Sequence, residues 1–304
     1  MTSPPGTSPA PSGNSEADAD AVAALEAMVR ALTLDAAGDD RFAAPGEPAR
    51  FDQAFGGQLV AQAVTAAGAT VEGKVPQSIH ASFVAAGSPG ASVELVVDRV
   101  RDGRSFATRR VSVLEDGREL LAALVSFHDT SPGIEVAAPP PPADAPEQLP
   151  SLEEWARAAP AEHQAMTSRW LDVPPAVEMR LAEPPTFFGG PVGQGPRSHW
   201  MRLVRPVDDP VLDAALLAYA SDYFLLDMAY RSHPDGPGVA ALTGVSLDHA
   251  VWFHRPVRFE RWHLHTQSTV TVSGERALVQ GAVHDADGHL VATVIQETLV
   301  RPRR

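Results

Sequence analysis

The sequence predicts an α+β protein built from two similar halves, each a helix followed by an antiparallel meander. Three observations carry that expectation. First, a helix of small apolar residues beginning at Gly56 precedes four strand-like runs, and a second apolar helix from Pro210 to Tyr230 precedes four more. Second, Asp102-Gly103, Asp116-Gly117 and Asp287-Gly288 sit between runs as hairpin turns, because Asp-Gly tolerates the positive φ that tight hairpins require. Third, landmarks recur at an offset of about 170 residues: His80-Ala-Ser-Phe83 resembles His249-Ala-Val-Trp-Phe253, and Leu121–Val125 resembles Val291–Ile295. A fixed offset across separate landmarks indicates duplication. Sheets of two such units are expected to join side by side, which removes one exposed edge from each.

Taken in order, residues 1–17 are Pro/Ser/Gly-rich and expected to be a disordered tail. Val22, Leu25, Met28, Val29 and Leu32 recur at helical spacing, so an amphipathic helix opens the first unit, residues 18–130. The helix that begins at Phe55-Gly56-Gly57-Gln58 carries small side chains throughout, which implies close approach to another backbone. Strands are expected at 78–84, 93–101, 105–115 and 119–128. Residues 131–197 break the pattern with repeated prolines and read as a partly extended linker with one short helix near Leu152–Ala158. The second unit, residues 198–304, holds a strand at 199–206, the Pro210–Tyr230 helix, and strands near 244–253, 262–273, 276–285 and 290–301.

Composition narrows the function. The chain has 304 residues, 44% hydrophobic and 20% charged, within the range of ordinary globular proteins. It has no cysteine, which excludes disulfides, thiolate metal sites and a cysteine nucleophile. No apolar run reaches the roughly 18 residues that a membrane span needs. No secretory leader or Ser-Lys-Leu-like address is evident, so a cytoplasmic location is expected. A net charge of −14 argues against nucleic acid as a partner, since phosphate backbones require a basic face.

Polar residues in apolar segments mark the candidate site. Leu242–Pro256 reads as a buried strand yet carries Ser246, Asp248, His249 and His254. Asp222 interrupts the apolar helix, and Gln296 interrupts the apolar strand 290–300. An unpaired buried polar group costs roughly 1–3 kcal/mol on mutational scales, so three separate breaches suggest a shared site. Gly244-Val-Ser246-Leu-Asp248 comes close to a Gly-x-Ser-x-Gly nucleophile elbow, but the last Gly and the following helix are missing. His263 and His265 alternate on one strand face without the spacing of a known zinc class. No metal and no cofactor is expected. Arg101, Arg104, Arg109 and Arg110 cluster around a hairpin that could meet anionic phosphates.

These motifs together resemble the acyl-CoA thioesterase II family. The resemblance rests on Phe55–Gln62, Arg101–Arg110, Tyr219–Asp222, Ser246–Pro256 and Val291–Glu297, and it runs in order from Leu25 to Arg301. It implies a double hotdog fold, two units each with a long helix wrapped by an antiparallel sheet. It implies hydrolysis of acyl-CoA thioesters by a water held by Asp222, Ser246 and Gln296. Gly57, Gln58, His80, Arg101, Arg104 and His249 are expected to bind substrate, and the backbone near Gly56–Gln58 to meet the oxyanion. The second half is expected to be active and the first degenerate, in a homo-oligomer, dimer or tetramer. One departure stands out: where relatives carry Arg-Pro after the first-half His-x-x-Phe-Leu, this chain has Ala85-Ala86. That loss leaves a second reading open, a non-catalytic acyl-thioester binding protein on the same fold.

Overall fold

A computed structural model of the chain describes residues 15–129, 133–233 and 242–302. Residues 1–14 of the expected tail lie outside the described residues, whereas Ser15 already starts α1 (Ser15–Ala31). A short hairpin follows, β1 (Asp35–Gly38) with β2 (Arg41–Ala44). Next come α2 (Gly56–Gly68), β3 (Val75–Phe83), β4 (Val93–Asp102), β5 (Phe106–Glu115) and β6 (Arg118–His128), close to the predicted runs. Between the repeats lie α3 (Leu152–Ala158), α4 (Gln164–Asp172) and β7 (Glu178–Leu181). The second repeat contains β8 (Arg197–Arg202), α5 (Pro210–Ser221), α6 (Leu225–Ser232), β9 (Leu242–Ser246), β10 (Asp248–Phe253), β11 (His263–Ser273), β12 (Arg276–Asp285) and β13 (Leu290–Pro302).

The strands form one antiparallel sheet, ordered β1-β2-β4-β5-β6-β3-β10-β13-β12-β11-β8-β7, with β9 beside β13. The order β4-β5-β6-β3 is mirrored as β10-β13-β12-β11, the pattern of two like units meeting edge to edge. The junction is the β3–β10 ladder, where Ile79 faces Val251 and His80 faces Ala250. This is the double hotdog architecture: α2 and α5 pack on each other and on the sheet and supply the middle of the core. The two helices run antiparallel at close range. A Cβ on Gly57 would stand 2.5 Å from the Tyr219 carbonyl oxygen, and one on Gly68 would stand 2.5 Å from Val211 Cγ1. The small residues of α2 are therefore there to admit α5.

Three sequence expectations need correction. The 131–197 segment, read as a partly extended linker with one short helix, holds that helix, α3, and more besides. It folds into α3, α4 and β7, and buries Trp170, Met179, Leu181 and Phe188 against the core. Residues 133–145, with Pro139–Pro142, carry no helix or strand, and the compact part of the segment begins at Pro146. The 210–230 helix is broken: α5 ends at Ser221, Asp222 caps it, and Phe224 takes a left-handed φ of 68° before α6 begins. The 244–253 strand is split at Leu247. Ser246 faces Thr298, whereas Ala250 faces Ile295, so the outer strand spans four steps where β13 spans three. That is a β-bulge, and Asp248 satisfies it by accepting the Glu297 amide at 2.7 Å. No helix among the described residues is long and apolar enough to cross a membrane.

A buried ion pair ties the inter-repeat segment to the second repeat. Asp227 on α6 pairs with Arg197 on β8 at 2.6 Å, with both side chains almost inaccessible. It also accepts hydrogen bonds from the Thr186 hydroxyl and from the Thr186 and Phe187 amides. Asp227→Ala leaves the Arg197 guanidinium buried without its counter-ion and is expected to lower unfolding stability by about 3–5 kcal/mol. Urea denaturation of the purified variant measures this, and an unchanged midpoint contradicts it.

Candidate functional site

Asp222, Ser246 and Gln296 converge. Gln296 on β13 is wholly buried, and its Nε2 donates to Ser246 Oγ at 2.9 Å. The same amide lies close enough to the Asp222 carboxylate to favour its charged form. Asp222 is also buried, and its Oδ2 accepts the Gly57 amide from the first turn of α2 at 2.8 Å. Residues drawn from α2, the α5–α6 break, the end of β9 and the middle of β13 thus meet at one point.

Local structure explains the convergence. Strand pairing alone would set Ser246 and Gln296 at fixed positions along adjoining strands; the bulge at Leu247 re-aims Ser246. The helix break swings the Asp222 side chain out of the α5 register and toward the start of α2. Gly56 and Gly57 let it approach, since a Cβ on Gly56 would lie 2.9 Å from Asp222 Oδ2. The N-terminal end of α2 presents unsatisfied amides and a positive dipole end, a favourable place for a carboxylate.

Asp222 and Ser246 open onto a cavity of about 380 Å³. Its walls are mostly aromatic and apolar, including Phe55, Trp170, Phe187, Phe224 and Tyr230, with Arg169 and Asp52 also on the wall. Arg169 and Asp52 pair at 3.0 Å and are solvent-accessible. Gln296 stands behind Asp222 and Ser246 and does not line the cavity. Burial pushes the Asp222 carboxyl above its ordinary range, opposed by His249, the Gly57 amide and Gln296. Behind it, His265 is wholly buried and its pKa is pushed down to about 3 by desolvation, reinforced by His249.

The other expected site residues fall elsewhere. Gly57 reaches the site, but its amide is engaged by Asp222, so it is not an open oxyanion donor. The Gln58 amide is likewise engaged, by the Phe55 carbonyl. The Gln58 side chain is buried in a structural network, accepting from the Glu47 amide and donating to Gln62. His80 is exposed on the outer sheet face, where its ring meets Trp252 edge-on at 4.9 Å. Arg101 and Arg104 are exposed at the β4–β5 hairpin and do not line the cavity. Arg109 from the same cluster is buried, donating to Thr70 and pairing with Asp102 at 2.5 Å. His249 is fully buried and absent from the cavity wall. The Ala85-Ala86 turn is held by Arg118, which donates to the Ala86 carbonyl at 2.8 Å.

Sequence reading missed the inter-repeat wall, Met166, Arg169, Trp170 and Phe187, and a buried network beside it. Tyr219 donates to Glu47 at 2.8 Å and meets Tyr223 at 2.7 Å, and Arg50 donates to Tyr223 at 3.0 Å. The one available signal was Thr186-Phe-Phe-Gly-Gly, whose aromatic pair needs a surface to cover.

Comparison with known proteins agrees with this architecture. Residues 171–299 match the model of a family described as acyl-CoA thioesterase, and residues 45–128 match the acyl-CoA thioesterase N-terminal domain. Acyl-coenzyme A thioesterase 8 of Mus musculus is 30% identical, over 81% of this chain and 80% of its own length. Among solved structures, an acyl-CoA thioesterase II from Mycobacterium marinum superposes with a TM-score of 0.71 and 30% identity, covering 92% of this chain and 98% of that one. A hot dog fold protein of unknown function from Alicyclobacillus acidocaldarius superposes with a TM-score of 0.72 at 20% identity, covering 91% and 99%.

The raised Asp222 pKa has a sign that stability measurements can read. A carboxyl whose pKa is higher in the folded state contributes stability below the ordinary carboxylate range and loses it as pH rises through the raised value. Near neutral pH the wild type therefore carries a burial penalty that an amide lacks. Asp222→Asn is expected to unfold at a higher temperature than wild type at about pH 7, with the gap closing toward about pH 4. Calorimetry across that range decides it, and equal or lower stability of the variant at neutral pH contradicts it.

Proposed function

The chain belongs to the acyl-CoA thioesterase II family, and from that premise we propose that Asp222, Ser246 and Gln296 hold the water that hydrolyses its acyl-CoA substrate. The protein is an acyl-CoA thioesterase; what needs a structural account is which groups activate the water. The single observation that carries the assignment is the convergence of Asp222 and Ser246 on one apolar cavity, with Gln296 bonded to Ser246 behind them.

A thioester carbonyl is attacked by water only if the water loses a proton as it attacks and the carbonyl oxygen gains a partner. Asp222 is the general base. In water a carboxylate with a pKa of about 3.9 is a weak base, and desolvation in this cavity strengthens it. Ser246 Oγ accepts from Gln296 Nε2, which leaves the serine hydrogen to point at the water and orient it. Gln296 stands behind both oxygens, so little reorganisation is needed when the water arrives. The water oxygen adds to the carbonyl carbon, its proton passes to Asp222, and the tetrahedral intermediate collapses. The carbon–sulfur bond breaks, and the proton on Asp222 goes to the departing thiolate. The products are the free carboxylic acid and CoA. The developing oxyanion is assigned to the amide of Gly56, which borders the cavity, since those of Gly57 and Gln58 are already engaged.

Two expectations follow. Asp222→Asn is expected to lower kcat on acyl-CoA by about 10²–10⁴-fold, the range for a lost general base, with the thiol product followed continuously. Retained turnover in a folded variant refutes the base assignment, and tight acyl-CoA binding by the wild type with no thiol release favours the binding-protein reading. The pH–rate profile of the wild type should fall on its acid side as Asp222 is protonated, at a pH above the ordinary carboxylate range. An acid limb within that ordinary range contradicts a desolvated base.

A further inference from the structure

His249 does not line the cavity; its Nδ1 stands 3.9 Å from Asp222 Oδ1, and its nearer partners point to another task. It lies on β10 directly across from Gln296 on β13, one step beyond the Ala250–Ile295 pair. Both side chains are wholly buried. His249 Nδ1 lies 2.5 Å from Gln296 Oε1, and its Nε2 lies 2.9 Å from Ser221 Oγ. Ser221 sits in the last turn of α5 and also donates to the Ala218 carbonyl at 2.9 Å. The imidazole is thus pinned to a helix on one side and grips the glutamine on the other.

A primary amide is nearly symmetric in shape but not in chemistry. Rotated by half a turn, Gln296 would keep its packing and exchange donor for acceptor. In the observed orientation Nε2 donates to Ser246 and stands on the side of Asp222, whose charged form it favours. In the reversed one, Oε1 would face the carboxylate, and Ser246 would lose its donor. Because Oε1 can only accept, the group opposite it must carry a hydrogen, and Nδ1 of His249 is that group. We propose that His249 is a positioning residue that locks the Gln296 amide in the orientation whose donors face Asp222 and Ser246.

The first repeat acts as an internal control. Aligning Phe83 with Phe253 places Ile79 where His249 stands and Val125 where Gln296 stands, and Ile79 and Val125 are themselves a cross-strand pair, both fully buried. Where the glutamine is absent, so is the histidine. The inference rests on the reading of Gln296 as part of the water-holding group.

Three substitutions test it, because asparagine and glutamine each reproduce one face of the imidazole. Asn places an N–H near Nδ1 and can still donate to Gln296; Gln places its N–H near Nε2 and reaches only Ser221; Leu does neither. His249→Leu is expected to lower kcat by about 30-fold or more with KM little changed, since displaced catalytic groups cost rate rather than binding. His249→Asn should recover most of that loss and His249→Gln should not. The double variant His249→Leu with Gln296→Ala should be no slower than Gln296→Ala alone. Unchanged kcat in His249→Leu, or equal rates for the Asn and Gln variants, overturns the proposal. If Gln296→Ala is itself fully active, the water-holding reading fails instead. Should His249→Leu not fold, ¹⁵N NMR of the wild-type ring still decides: a hydrogen on Nδ1 supports the lock, and a bare Nδ1 overturns it.

Discussion

The hydrogen bond from the Gly57 amide to the Asp222 carboxylate is the contact on which the site depends. It crosses from one repeat to the other, so neither half can build the site alone. Several features exist to permit it. Two glycines at the start of α2 clear space for the carboxylate and for the Tyr219 carbonyl behind it. The left-handed turn at Phe224 ends α5 where Asp222 can reach sideways, and a bulky residue with positive φ is strained enough that packing must hold it there. That packing comes from His199, whose ring meets the Phe224 ring edge-on at 4.9 Å, and from Phe187 and Trp170. The result is a carboxylate both desolvated and anchored, which raises its basicity without letting it wander.

The same region is braced by a polar network that also crosses the repeats. Glu47 and Arg50 from the first repeat reach Tyr219 and Tyr223 on the second, and Arg50 continues to the Val173 and Pro174 carbonyls of the inter-repeat segment. Burial raises the Glu47 pKa, partly offset by Arg50 and the Tyr219 hydroxyl. Phe55 stacks on Tyr223 at 4.8 Å and meets Tyr219 edge-on at 5.3 Å. Because Tyr223 directly follows Asp222, and Val173 directly follows α4, the helix that carries Trp170, one arginine couples the position of the carboxylate to the position of the cavity wall. A buried charge of this kind adds little net stability but strongly disfavours alternative arrangements that leave it unpaired.

Much of this was legible before the coordinates. Strand positions in the first repeat, the Asp-Gly turns and the duplication follow from short-range pattern, and Asp222, Ser246 and Gln296 stand out because each is polar in an apolar run. What escaped notice has physical reasons. The α5–α6 break contains no Gly or Pro; tertiary packing imposes it. The Leu247 bulge changes no residue type and shows only in strand register. The inter-repeat segment reads as extended because its prolines are frequent, yet the aromatic rings it buries supply the free energy to fold it. His80 and His249 look alike in the sequence, but His80 is three residues before its Phe and His249 is four residues before its own. In a strand, that one-residue difference turns the first outward and the second inward.

That difference in facing locates where the repeats part company. Ile79 with Val125 and His249 with Gln296 occupy the same place in their respective ladders. The apolar pair stabilises its repeat at no polar cost, and each fully buried branched side chain contributes roughly 1.5–3 kcal/mol. The polar pair is tolerable only because its hydrogen bonds close on Ser221, Ser246 and each other; one missing member would leave a buried donor or acceptor unmet at about 1–3 kcal/mol. Keeping this one position apolar in the first repeat lets that ladder serve as a stable abutment, against which the second repeat holds its strained turn, its bulge and its buried carboxylate.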